Sequence, residues 1–201
     1  VFNMVDQDIK QYCFMWEPPE DEPCTSYPAL KEEDQTDEYK AEETDVRSFT
    51  DEYEMLLAFR RFIQEEIDPD IISGYNILNF DNVYTIQRGQ HLHSLYPESN
   101  KPELAWCWGR QLNRQCRLKK QYKFSNQKGG RESWECKIEG REFMDLFKII
   151  MDDHKLRSYK LDEVAAHFLG TRKIHISYDD IPVMQRSPEG RVKLGVYCVK
   201  D

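Results

Sequence analysis

The chain has 201 residues, 39% hydrophobic and 12% aromatic, enough for one domain with a sizeable core. No apolar run is long enough to span a membrane, and no secretory leader is legible, although Val1 is not assumed to be a natural start. The net charge of −9 argues against a broad nucleic-acid surface. It does not exclude a local one, because the acids concentrate in residues 17–54 and a basic cluster occupies 110–128.

Residues 1–16 read as a β-hairpin, with apolar runs at Val1-Phe2 and over 12–16 around a polar turn at 6–10. Asp6 and Asp8 are expected to be solvated turn residues. Residues 18–45 are rich in Pro, Glu, Asp and Thr and read as an acidic loop facing solvent. Residues 50–67 read as a helix with Thr50 as N-cap. Met55, Leu56, Phe59, Phe62 and Ile63 form its buried stripe.

The stretch 68–81, DPDIISGYNILNFD, places a turn before a short buried strand at Ile71-Ile72. Gly74 then permits a bend or a close approach of backbone. Asn76, Asn79 and Asp81 follow just past the strand end, where ligands collect on open α/β sheets. The plainer alternative is a strand, a loop and a helix with Asp81 as its N-cap. A helix continues over 83–88, and His91 and His93 read as surface residues on an extended segment.

Residues 97–138 read as an irregular basic region that includes a hairpin. It interleaves Trp106 and Trp108 with Arg110, Arg114, Arg117, Lys119, Lys120, Lys123 and Lys128. That mixture suits single-stranded DNA, and a solvated hairpin fits equally well. A strand over 134–138 closes the hairpin. Residues 143–154 read as a largely buried helix that includes Phe147 and Ile150. A second helix, with Leu161 and Phe168 on its apolar face, stops at Gly170. Pro182, Pro188 and Gly190 mark a loop, and a last helix covers 192–201. The six cysteines form no CxxC pair, so free thiols in a reducing compartment are expected and a zinc knuckle is not.

Two of these stretches resemble exonuclease motifs of the family B DNA polymerases. GYNILNFD matches the second motif through Asn76, Phe80 and Asp81, and Tyr197 with Asp201 matches the third. The segments GGRESWECKIEGREFMDL and HKLRSYKLDEVAAHFLG are similar to delta-type and herpesvirus-type members. The resemblance covers most of 48–201, with the motifs in family order and spacing. Lys160 departs from the Ser or Thr that the family prefers before the following Leu in a strand-binding motif.

The resemblance implies an α/β, RNase H-like (DnaQ-like) 3′–5′ exonuclease fold, a mixed sheet flanked by helices with an inserted β-hairpin. The whole span 1–201 is then a partial exonuclease domain, truncated at both ends. The Asp-x-Glu pair of the first motif is expected before Val1 and the polymerase motifs after Asp201. The implied activity is proofreading by a replicative DNA-directed DNA polymerase, with two magnesium ions, or manganese in their place. Two-metal hydrolysis needs carboxylates around ions about 4 Å apart. Asp81 and Asp201 are the expected metal ligands and, with Tyr197 orienting the nucleophilic water, the catalytic residues. Asn76 and Phe80 are expected to hold the terminal nucleotide. A core aromatic is the plainer reading of Tyr197. The implied partners are the primer–template, a single-stranded primer 3′ end, the rest of a polymerase chain and a processivity factor. The implied compartment is the nucleus, of a host cell if the protein is viral. A non-catalytic DNA-binding module of such a polymerase is the alternative, and a free-standing exonuclease a third.

Overall fold

The computed structural model describes residues 1–3, 8–17, 44–95, 108–111, 114, 116–125 and 129–200. The chain divides into two compact units, one formed by Val1–Met55 with Lys160–Asp201 and the other by Leu56–Tyr159.

In the first unit, β1 (Phe2–Asn3) pairs antiparallel with β2 (Asp8–Ile9). The expected hairpin is therefore short, and Asp8 is a strand residue rather than a turn residue. The apolar run β3 (Gln11–Trp16) does not fold back on Val1-Phe2. It pairs in parallel with β4 (Thr44–Phe49), in register from Gln11 opposite Thr44 to Trp16 opposite Phe49. Burial explains the choice, because Cys13 and Met15 on one face of β3 meet Val46 and Val199 in a small core. Residues 18–43 of the expected acidic loop lie outside the described residues, and Thr44 and Asp45 belong to β4.

The second unit opens on the remainder of α1 (Glu52–Arg61), which widens into π-helical turns over Phe62–Ile67. Thr50 is not its cap. The Asp51 carboxylate accepts the Glu54 N–H at 2.9 Å instead. Of the expected stripe, Phe62 is buried and Met55, Leu56, Phe59 and Ile63 are half-buried. The helix ends at Asp68, whose φ of 44° is left-handed. Strand β5 (Ile71–Gly74) follows, then α2 (Asp81–Ser94). Here His91 and His93 are helical, and His93 is buried rather than on the surface.

Strands β6 (Arg117–Ser125) and β7 (Gly129–Lys137) form an antiparallel ladder. Gly140, at φ 85°, turns the chain into β8 (Glu142–Asp145), which runs parallel to β5. The helix expected over 143–154 does not begin at 143 and is not largely buried. Its first residues are strand β8, and α3 (Leu146–Asp153) holds no fully buried side chain. Ile71 is likewise 55% exposed, so β5 is not a buried strand. The core lies elsewhere, around Ile86, Trp108, Cys116 and Ile138 with Phe59 and Phe143 packed against them.

Back in the first unit, α4 (Leu161–Leu169) ends on Gly170 at φ 70°, as its sequence requires, but Phe168 is exposed. The loop expected around Pro182 and Gly190 is mostly helical. It forms α5 (Ile181–Met184) and the first turn of α6 (Pro188–Lys200). The last helix thus starts four residues before 192, with the Ser187 hydroxyl accepting the Gly190 N–H at 3.0 Å. A Cβ on Gly190 would stand 2.1 Å from the Met184 carbonyl oxygen, so only glycine fits.

The architecture is therefore mixed α/β, built from small sheets. Among the described residues there are four two-stranded sheets, two parallel and two antiparallel, in place of the single mixed sheet expected. No helix among them is long and apolar enough to cross a membrane, and they contain no disulfide.

Candidate active site

The ends of β5 and β8 lie side by side, with Gly74 opposite Asp145. Past Gly74 the chain makes a tight turn. A Cβ on Gly74 would stand 2.3 Å from Ile77 Cγ2. Asn76 takes a left-handed φ of 61°, a conformation its short amide tolerates better than most side chains. Its carbonyl accepts the N–H groups of Asn79 and Phe80, both at 3.1 Å, and the Ile77 carbonyl accepts the Asn82 N–H at 2.9 Å. These nested turns run directly into α2.

A buried carboxylate fixes the turn. Asp145, 5% exposed, accepts the Asn76 N–H at 2.8 Å on Oδ1 and the Leu78 N–H at 3.2 Å on Oδ2. Oδ1 also accepts the Phe147 N–H at 3.1 Å, which caps α3. The side chains add a second layer. Asn79 Nδ2 donates to Asn76 Oδ1 at 3.0 Å, and the Trp134 N–H of β7 donates to Asn79 Oδ1 at 3.0 Å. The Tyr75 hydroxyl donates to the Tyr159 carbonyl at 2.5 Å. Burial, then the nearby Asp145 charge, raises the Tyr75 pKa, so this donor keeps its proton.

Phe80, 66% exposed, and Asp81 emerge from this scaffold. Asp81 is the first residue of α2 rather than its N-cap, a place that Phe80 takes without a side-chain cap bond. The positive end of the helix dipole favours a carboxylate there. A cavity of about 740 Å³ lies beside the turn, lined by Leu78, Asn79, Trp134, Asp145 and Phe147 among others.

Three of the expected site residues, Asn76, Phe80 and Asp81, thus share one turn. Tyr197 belongs to the other unit, half-buried on α6 with the Lys173 ammonium 5.6 Å from its ring centroid. Asp201 lies outside the described residues. Among the described residues no group of three His, Cys, Asp or Glu side chains gathers as a metal cage. The donor that is described suits magnesium or manganese in kind, being one exposed carboxylate oxygen set.

The basic region differs from expectation. Trp108 is buried in the core, edge-on to Phe59, and is not a stacking platform. Arg110 pairs with Asp68 and Asp70, Arg117 with Glu139, and Lys120 with Glu132, which lowers the charge this region offers to a phosphate backbone. Trp106 and Lys128 lie outside the described residues.

Asp145 is the functional candidate that the sequence reading missed. Its signal was an acidic residue between the apolar Phe143-Met144 and a helix, the place of a buried N-cap.

The family model for the DNA polymerase family B exonuclease domain matches residues 16–164. The chain belongs to the family B DNA polymerases. The family B match spans both sheet ends, the turn and Asp145. Among curated proteins, the DNA polymerase delta catalytic subunit of Glycine max is 42% identical over 158 residues. The Arabidopsis thaliana delta catalytic subunit is 44% identical over the same length, and the Epstein-Barr virus DNA polymerase catalytic subunit 34% over 162. These alignments cover 78–80% of this chain but only 14–15% of the relatives, so the chain spans about one seventh of their length. Membership of this exonuclease domain implies an RNase H-like fold, and the described residues show a mixed α/β arrangement of small sheets.

Proposed function

We propose that this segment belongs to the proofreading 3′–5′ exonuclease of a replicative DNA-directed DNA polymerase. The reaction is hydrolysis of the phosphodiester that joins a mispaired nucleotide to the primer 3′ end. The observation that carries the reading is the turn over 74–81, which a buried carboxylate fixes and from which Phe80 and Asp81 emerge together.

Each residue of the turn has a role that its chemistry suits. Phe80 packs on the base or sugar of the terminal nucleotide, since a large exposed ring is suited to stacking. Asn76 already accepts on Oδ1 from Asn79, so its Nδ2 group is the one to donate to the nucleotide. Asp81, with Asp201, would hold the divalent ions. When bound, those ions supply a nucleophilic hydroxide and neutralise charge on the reacting phosphate. Tyr197 stands four residues before Asp201, which on a helix is the same face, and its hydroxyl orients the water.

In this reading 1–201 is one partial exonuclease domain, and the β6–β7 ladder is a hairpin inserted into it. The natural partners are a primer–template and its single-stranded 3′ end, the remaining polymerase chain and a processivity factor. The compartment is the nucleus. The names of the relatives, catalytic subunits of cellular and viral polymerases, support this assignment.

The test uses the full-length polymerase. It should release a mispaired 3′ nucleotide in magnesium and stop when the metal is chelated, while a matched primer is extended. A polymerase that extends but never excises would instead make this segment a DNA-binding module.

A further inference from the structure

We infer that Asp145 is the positioning residue of the excision site, a role that rests on the reading above. Its carboxylate reaches across from the end of β8 and accepts two N–H groups on either side of Ile77, those of Asn76 and Leu78. Those two bonds fix where the turn begins. The bonds from Asn79 and Phe80 to the Asn76 carbonyl, and from Asn82 to the Ile77 carbonyl, carry that position forward to the first turn of α2. Asn76, Phe80 and Asp81 are thus placed from one buried anion that does not itself emerge beside them.

The choice of an aspartate follows from the geometry. One carboxylate has to accept from the turn on both oxygens and from the Phe147 N–H as well. An asparagine of the same size presents a donor where one of these oxygens accepts, so at least one backbone bond is lost. Displacement of a reacting group by about 1 Å costs on the order of a hundredfold in rate.

The experiment compares the full-length polymerase with Asp145→Asn, Asp81→Ala and the core control Ile86→Val. For Asp145→Asn the excision kcat should fall about tenfold to a hundredfold. The magnesium concentration for half-maximal excision should rise. Amides in 74–81 should exchange hydrogen faster and the melting temperature should fall no further than in Ile86→Val, while primer extension stays near that of the parent. Ile86→Val should lower the melting temperature and leave the excision kcat in place. The inference is overturned if Asp145→Asn excises at the parental rate. It is also overturned if excision, extension and melting temperature all fall together, since the role would then be structural. Asp81→Ala separates the two claims. If that variant still excises, the site reading falls and this inference with it. If Asp81→Ala is inactive while Asp145→Asn keeps the parental rate, only the role of Asp145 falls.

Discussion

The guanidinium of Arg141 is fully buried 2.9 Å from the carboxylate of Asp68, which remains exposed. The same guanidinium donates to the carbonyls of Trp108, Pro69 and Ile63, at 2.6, 2.5 and 3.1 Å. One side chain therefore ties the end of the π-helical turns to the start of β5 and to the core tryptophan. Arg141→Met should destabilise the fold by about 3–5 kcal/mol, because three carbonyls and a carboxylate lose their donor. Urea unfolding monitored by tryptophan fluorescence measures it.

Asp68 makes this junction sensitive to acid. Its carboxyl is held below the usual range by the hydrogen bond from Arg110 and, after that, by the one from Arg141. A depressed folded pKa contributes stability above the ordinary carboxylate range, lost as pH falls through the lower folded value. Asp68→Asn should therefore lower stability most at neutral pH and least below the folded pKa, which flattens the acid limb of the profile. Urea midpoints taken at several pH values would show this, and an unaltered acid limb would count against it.

Ile86 has no exposed surface and packs with Trp108, Cys116 and Ile138. Ile86→Ala should cost about 2–5 kcal/mol, the range for a large-to-small change in a packed core. A loss below about 1 kcal/mol on denaturation would mean that this cluster is not the core of its unit.

The thiols should react unequally. Burial pushes the Cys136 thiol up to about 11, so at pH 8 only about one molecule in a thousand carries the thiolate. Cys198 is exposed. Peptide mapping after brief iodoacetamide treatment should find Cys198 alkylated well before Cys136, Cys116 or Cys13. Labelling of Cys136 at the rate of Cys198 would contradict the burial.

How far the sequence disclosed this arrangement depended on whether the signal was local. The turn over 74–81 was legible because Gly74, Asn76 and Asp81 follow a short β-rich run, and α4 was legible because its apolar period ends on Gly170. Pairing was not, since nothing in the composition of β3 distinguishes a hairpin partner at Val1-Phe2 from the parallel partner at Thr44–Phe49. Helix caps slipped by one residue where Thr50 and Asp51 competed for the same role. Phe143 and Met144 carried apolar side chains compatible with either period, and pairing with β5 made 142–145 strand. Trp108 and the cations of 110–120 looked available because a one-dimensional reading does not display the core at Ile86 or the carboxylates of Asp68, Glu132 and Glu139. Asp145 was hidden for the same reason, as its partners lie about 70 residues earlier in the chain.

The central claim, that Asp81 serves excision, is tested most directly by Asp81→Ala in the full-length polymerase. Release of a mispaired 3′ nucleotide and extension of a matched primer are followed on the same template in magnesium. The account predicts that excision falls by at least a hundredfold while extension stays within about twofold, since a lost ligand removes stabilisation that arises only in the excision transition state. Excision at the parental rate would contradict it and leave Asp81 as the opening residue of a helix.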